Sequence, residues 1–257
     1  MSGDLFTIMN RPLIISIVLG SIIALLHPCR ALIAQPAIES HAKLLPQIQS
    51  SMAEIPFGVL VHQMTGHDVI PFDEGDRWQQ EMLSMLGKVA SEVVDRMNQA
   101  DSPVRKYRRI NEVSREFEDA LMSLLDSQSG WSCSVPKNAQ GKVQRSGYPD
   151  LILTHLPTGR HVYLDPKVYH HKQASSSLRT FYYEPKSETS KIQYEAMHLL
   201  IGFAHDGGRV GKWRFLHWKM VDMSKVKVRL KMEFQTSNKE MYLKRNIIKS
   251  SGGELDH

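Results

Sequence analysis

Cysteine is scarce in this chain. Cys29 and Cys133 are the only two in 257 residues, with no C-x-x-C pair, so neither a disulfide framework nor a structural zinc site is supported. No fixed-period repeat or low-complexity block is visible, which excludes solenoids and arrays. Long apolar runs are also missing. Leu13–Leu26 is fourteen residues without a charge, short of the ~20 that a membrane span wants. That length suits a signal-peptide h-region, with Arg11 before it and small residues for cleavage at Cys29-Arg30-Ala31 or Leu32-Ile33-Ala34. Asp4, and Arg11 as the only basic residue ahead of the run, count against a signal peptide. A membrane anchor or a buried helix is the alternative. The expectation is export, with residues 1–34 as signal peptide or membrane anchor.

Apolar residues make up 42% of the chain and charged residues 23%, an ordinary globular balance. The length allows one sizeable core. The net charge of +5 hides an asymmetry: residues 1–135 carry 11 Lys/Arg against 16 Asp/Glu, and residues 136–257 carry 21 against 11. A basic half of this kind could meet a polyanion, although a solvated basic surface has the same composition.

Residues 35–75 are punctuated by Pro36, Pro46, Pro56 and Pro71. Phe57–Val61 reads as a short strand or buried turn within an extended lead-in on the surface. From Arg77 to Ala100, Trp78, Met82, Leu86, Val89, Val93 and Met97 recur at three- and four-residue spacings, the pattern of an amphipathic scaffold helix. A second helix carries Ile110, Val113, Phe117, Leu121, Leu124 and Leu125 on one stripe. Glu118 borders that stripe, aligned with Leu121 and Leu125. Trp131–Val135 reads as a strand, followed by a polar loop with Lys137, Lys142 and Arg145.

Leu151–Leu153 and Val162–Leu164 read as two short strands joined by Pro157-Thr158-Gly159, which has tight-turn chemistry. With Pro157 and Thr158 central, Asp150 falls opposite Asp165, Cβ atoms ~5 Å apart on one face. Side chains alternate along a strand, so Lys167 joins that face. Two carboxylates this close repel unless a divalent ion lies between them.

Pro149-Asp150, a hairpin, then Asp165-Pro166-Lys167 resembles the PD-(D/E)XK nuclease superfamily. The resemblance covers roughly residues 108–235. It implies an α/β fold, the restriction-endonuclease-like core, in which a mixed central β-sheet is flanked by helices. It implies Mg²⁺ or Mn²⁺ held by Asp150, Asp165, the Pro166 carbonyl and Glu118, the last on the helix before the first strand. Lys167 would then orient or deprotonate the attacking water, its pKa lowered toward that task. His170 and His171 are an alternative base pair, read here as surface residues. Pro166 lacks an N–H and requires an edge or bulge at its position.

Beyond the hairpin, Gln173–Tyr183 mixes Arg179 with aromatics, suited to phosphate grip or to capping the core. Ser190–Ala204 reads as a helix that supplies the crossover of an α/β core, with Lys191 in its first turn facing phosphate or solvent. Trp213–Trp218 is β-prone. Lys225–Phe234 alternates apolar and basic residues, so Lys227 and Arg229 lie on a basic face that either protects a sheet edge or lines a DNA channel.

The expected organisation is a signal or anchor segment at 1–34, a lead-in with scaffold helix at 35–104, a nuclease core at 105–248 and a flexible tail at 249–257. The expected function is a Mg²⁺-dependent DNA endonuclease with Lys142, Arg145, Arg179, Lys191, Lys227 and Arg229 contacting nucleic acid. The alternatives are a non-catalytic nucleic-acid-binding protein on the same fold and an exported hydrolase of other phosphodiesters.

Overall fold

In the computed structural model, residues 44–48, 50, 54–176, 181–231, 233 and 235–249 are described. The Leu13–Leu26 run, Arg179 and most of the C-terminal tail lie outside them. The chain divides into two compact units, one of residues 54–229 and one of residues 1–53 with 230–257.

The first unit opens with β1 (Ile55–Pro56), which runs straight into α1 (Phe57–Thr65). The segment expected as a short strand or buried turn in an extended surface lead-in is therefore a helix. Phe57 and Val61, four residues apart, are both fully buried, and Gly66 ends the turn with φ +75°, its N–H donating to the His62 carbonyl. A five-residue apolar run has too little length to separate the two periodicities. Val61→Ala is expected to lower stability by about 2 kcal/mol in urea unfolding, for two lost methyl groups and the space they leave. A surface lead-in would show about ±0.5 kcal/mol at most.

α2 (Arg77–Asn98) follows, its first turn capped by the Asp76 carboxylate, which accepts from the N–H groups of Trp78 and Gln79. Met82, Leu86, Val89, Val93 and Met97 are its buried stripe. After two short 3₁₀ turns comes α3 (Ser114–Asp126), which buries Phe117, Leu121, Leu124 and Leu125. The strands are β2 (Trp131–Ser134), β3 (Leu151–His155), β4 (Arg160–His170), β5 (Met197–His205) and β6 (Phe215–Asp222), in spatial order β2-β3-β4-β5-β6. Only β4 and β5 pair in parallel, so the sheet is mixed. α2 and α3 pack against one face through Leu151, Leu153, Val162, Leu164, Leu199, Ile201 and Phe203. α1 packs with Tyr148, Tyr163, Ile192 and Met223 in a second cluster. The protein is thus an α/β fold with a central five-stranded mixed sheet flanked by helices.

Two expectations fail here. Ser190–Ala204 is not a helix: its second half is β5, and among the described residues no α-helix links β4 to β5. Buried on both faces, β5 has a near-continuous apolar sequence, which periodicity cannot tell from a buried helix. Gly202 suits this strand, because a Cβ there would lie 3.0 Å from the Tyr169 ring. The alternating run at 225–234 is also not one long strand. Met223–Lys225 is a 3₁₀ turn, and only β7 (Lys227–Val228) pairs, with β1. Alternation prepares a strand, but its length is set by its partner, and β1 gives way to α1 after Pro56.

In the second unit, α4 (Asn238–Met241) is capped by the Ser237 side chain, which accepts from the Glu240 N–H.

Candidate active site

The hairpin fixes the site. Leu151 pairs with Leu164 and His155 with Arg160, leaving Leu156–Gly159 as the loop. Gly159 closes it at φ +67°, its N–H donating to the His155 carbonyl over 2.8 Å. The same register carried one residue further sets Asp150 opposite Asp165. Lys167 reaches both: its Nζ lies 3.1 Å from Asp150 Oδ2 and 2.8 Å from Asp165 Oδ2. The Asp165 side chain is 3% exposed.

Burial, then the Asp150 charge, raises the pKa of Asp165 to about 7, against the pull of Lys167. Burial alone would lower the pKa of Lys167, but the charges of Asp165 and Asp150 outweigh it and hold the ammonium above its ordinary value. The expectation of a lowered lysine is therefore reversed: with two anions as nearest neighbours, Lys167 is a firm cation. Asp165 Oδ2 is enclosed without a directed hydrogen bond, although that ammonium stands 2.8 Å away. Distance satisfies the ion pair and angle denies the bond.

Pro166 is buried in β4 opposite Ile201 of β5. β3 reaches only to the level of Leu164, so the missing proline N–H falls where just one flank of β4 is paired in the ladder. An edge-like position is met inside a central strand.

Glu118 is half-buried on α3. Its carboxyl is raised by burial first and then by the Asp150 charge, and Arg145 Nη1 lies 3.9 Å from it. Among the described residues no three His, Cys, Asp or Glu side chains are grouped to hold one ion. Glu118 stands in the field of the aspartates, outside their immediate pair.

The basic residues separate in the structure. Lys142 is exposed. Arg145 is engaged by Asp119 at 2.9 Å as well as by Glu118. Lys227 pairs with Glu54 at 3.2 Å, and Arg229 is exposed just past β7. Lys191, expected on an outer helical turn, is 2% exposed. Its Nζ donates to the Gln144 carbonyl over 3.2 Å. Burial lowers its pKa, and Asp150, Asp165 and Glu118 resist that shift. It is part of the site's charge balance, and only the misread helix made it look external. His170 stacks on His171 and meets His205 edge-on, at the C-terminal rim of β4 and β5.

The sequence reading missed the support behind the hairpin. Tyr148 Oη and His198 Nδ1 lie 2.8 Å apart in full burial, and the Tyr148 ring meets Phe57 and Tyr183. Burial pushes His198 down to about 3, so it is neutral. Tyr148 stands two residues before Asp150, and its aromatic character beside Pro149 was the available signal.

The profile of the Type II restriction enzyme MjaV family matches residues 49–245. A relative described as Type II restriction enzyme MjaV, from Methanocaldococcus jannaschii, is 30% identical over 221 residues, covering 82% of this chain and 94% of the relative. No solved structure matches. These matches overturn the expectation of export, because a restriction enzyme meets its DNA inside the cell. Among the described residues, no helix is long and apolar enough to cross a membrane. A profile match over most of the length and a relative aligned nearly end to end agree: the chain belongs to the Type II restriction enzyme MjaV family.

Proposed function

We propose that this protein is a Mg²⁺-dependent DNA endonuclease of the PD-(D/E)XK type, with a restriction-endonuclease-like core and Asp150, Asp165 and Lys167 as its catalytic set. Family membership supplies DNA cleavage. The observation that carries the site assignment is the apposition of two carboxylates, one nearly fully buried, on a single ammonium.

The donor set fits a hard divalent cation. Asp165 Oδ2 is enclosed with the Lys167 ammonium as its near cation, and because Asp150 shares that one ammonium, a further positive charge would favour both carboxylates ionised. Mg²⁺ keeps several waters and binds through one or two carboxylates plus phosphate oxygens, so two aspartates suffice. Asp150 and Asp165 would hold the ion, with the Pro166 carbonyl and Glu118 as further oxygen donors. When bound, such an ion neutralises phosphate charge and lowers the pKa of a water.

The chain's own groups do the rest. Lys167, cationic and half-buried, donates hydrogen bonds that orient the attacking water and meet charge building on the phosphate oxygens. Water oxygen bonds to phosphorus as one P–O ester bond breaks; the water gives up a proton to solvent and the departing oxygen takes one up, leaving one phosphate end and one hydroxyl end. Asp150 and Asp165 fix the ammonium in place, since the strand pairing determines where it sits. Arg229 offers exposed charge to the backbone, in keeping with the basic C-terminal half.

Supercoiled plasmid incubated with the purified full-length chain tests this reading. Nicking or linearisation with Mg²⁺ and none with EDTA is expected; an intact plasmid under both conditions would refute it. Lys167→Ala should lower the cleavage rate by about 100-fold or more while changing duplex affinity only a few-fold, because one cation contributes little to a polyelectrolyte contact.

A further inference from the structure

The loop between β2 and β3 is organised beyond what a connection needs. Asn138, buried at its base, makes most of its bonds. Its N–H donates to the Lys142 carbonyl over 2.8 Å, and its carbonyl accepts from the Gly141 N–H over 2.8 Å. Its side-chain oxygen accepts from the N–H groups of Gln140 and Lys142, both at 3.0 Å. Its amide nitrogen donates to Gln144 Oε1 over 3.2 Å. Lys137 and Val143 bridge in antiparallel fashion, and Gly141 turns the tip at φ +76°. The segment is a closed hairpin wrapped around one asparagine.

Its flanks are tied to both sides of the carboxylate site. Arg145 binds Asp119 and Glu118 on α3. On the other side, Lys191 Nζ donates to the Gln144 carbonyl, and the Ala139 N–H donates to the Ser190 carbonyl over 2.8 Å. The chain then leads through Gly147 and Pro149 into Asp150.

Around its tip this braced scaffold presents Gln140, Lys142 and Val143 to solvent, with Lys137 and Ala139 exposed on the incoming arm. Val143 is 64% exposed although apolar. Among the described residues Gln140 and Lys142 form hydrogen bonds through their backbones alone. A carboxamide, an ammonium and a branched methyl pair are three of the chemistries that read base edges in the major groove: the amide suits adenine, the ammonium guanine, and the methyl groups the thymine methyl. A tip rigid before binding loses little freedom on docking, whereas a solvated connection gains nothing from such bracing.

We propose that the Lys137–Arg145 hairpin is the sequence-reading element of this protein, entering a groove of duplex DNA with Gln140, Lys142 and Val143 against base edges. The inference rests on the reading of the Asp150–Asp165 site as a DNA-cutting centre, and it assigns that centre's specificity to the loop that precedes it in the chain.

The test is selection of bound duplexes from a random-sequence pool, using the full-length chain with Ca²⁺ replacing Mg²⁺, followed by sequencing. The native chain should enrich a short motif. Gln140→Ala, Lys142→Ala and Val143→Ser should each weaken preference at one or two positions by roughly 10- to 100-fold. The thermal midpoint should stay nearly unchanged, because these side chains are exposed, and affinity for random duplex should fall a few-fold at most, in Lys142→Ala, the one variant that loses a cation. If all three variants enrich the native motif to the native extent, or the native chain enriches none, the proposal is overturned. The readout is independent of cleavage, so an uncut plasmid refutes the catalytic reading and an unmoved motif refutes this one.

Discussion

Asp165→Ala abolishes Mg²⁺-dependent cleavage, with an expected loss of at least about 10³-fold in rate, while duplex binding changes only a few-fold. On the proposed mechanism the asymmetry follows from where the charge lies. Binding draws on basic residues dispersed over the C-terminal half, each worth little alone. Catalysis draws on one enclosed carboxylate 2.8 Å from Lys167, in a setting where fixed charge is worth most. Removing an anion from a surface that meets phosphates also relieves repulsion, so binding tightens slightly if it moves at all. Glu118→Gln is milder, because Glu118 sits outside the aspartate pair and shares Arg145 with Asp119. Single-turnover cleavage beside filter or anisotropy binding separates the two effects. Full cleavage by Asp165→Ala would sink the mechanism.

The hairpin was legible from sequence because two local signals agreed on it. Turn chemistry at Pro157-Thr158-Gly159 between two short apolar runs picked out one register, and a slip of one residue would have turned every side chain to the wrong face. The two long helices were legible through sustained three- and four-residue spacing. What stayed hidden depended on partners distant in the chain. β5 is a strand because β4 lies beside it, and its residues, buried on both faces, carry no period of their own. β7 begins no earlier than Lys227 because β1 gives way to α1 after Pro56. Lys191 was misplaced by its assignment to a helix, and its role in the site's charge balance emerges only once Gln144 and the three acidic groups converge on it. Asn138 read as an ordinary loop residue; that one side chain closes a hairpin is a property of geometry, with no mark in composition.

Between about pH 4 and pH 7 the metal-free native chain should lose stability relative to Asp165→Asn, the histidines held neutral by burial contributing alike to both proteins. Burial and Asp150 raise the carboxyl of Asp165 from 3.8 to about 7 in the folded chain. A group raised on folding favours the native state while it is protonated. That contribution is complete below the unfolded pKa, is lost progressively between the two values, and is gone once pH passes the folded one. A shift of this size corresponds to about 4 kcal/mol at most; with Lys167 adjusting to the same charge, on the order of 3 kcal/mol is expected. Asparagine keeps the shape and cannot ionise, so the variant and the native chain should match near pH 4 and diverge toward pH 7. For a chain of this size, 3 kcal/mol corresponds to roughly 6–12 °C in Tm. Thermal scans in EDTA across that range provide the check. Parallel pH profiles for the two proteins would show that Asp165 titrates normally in the fold, and that its burial does not raise it.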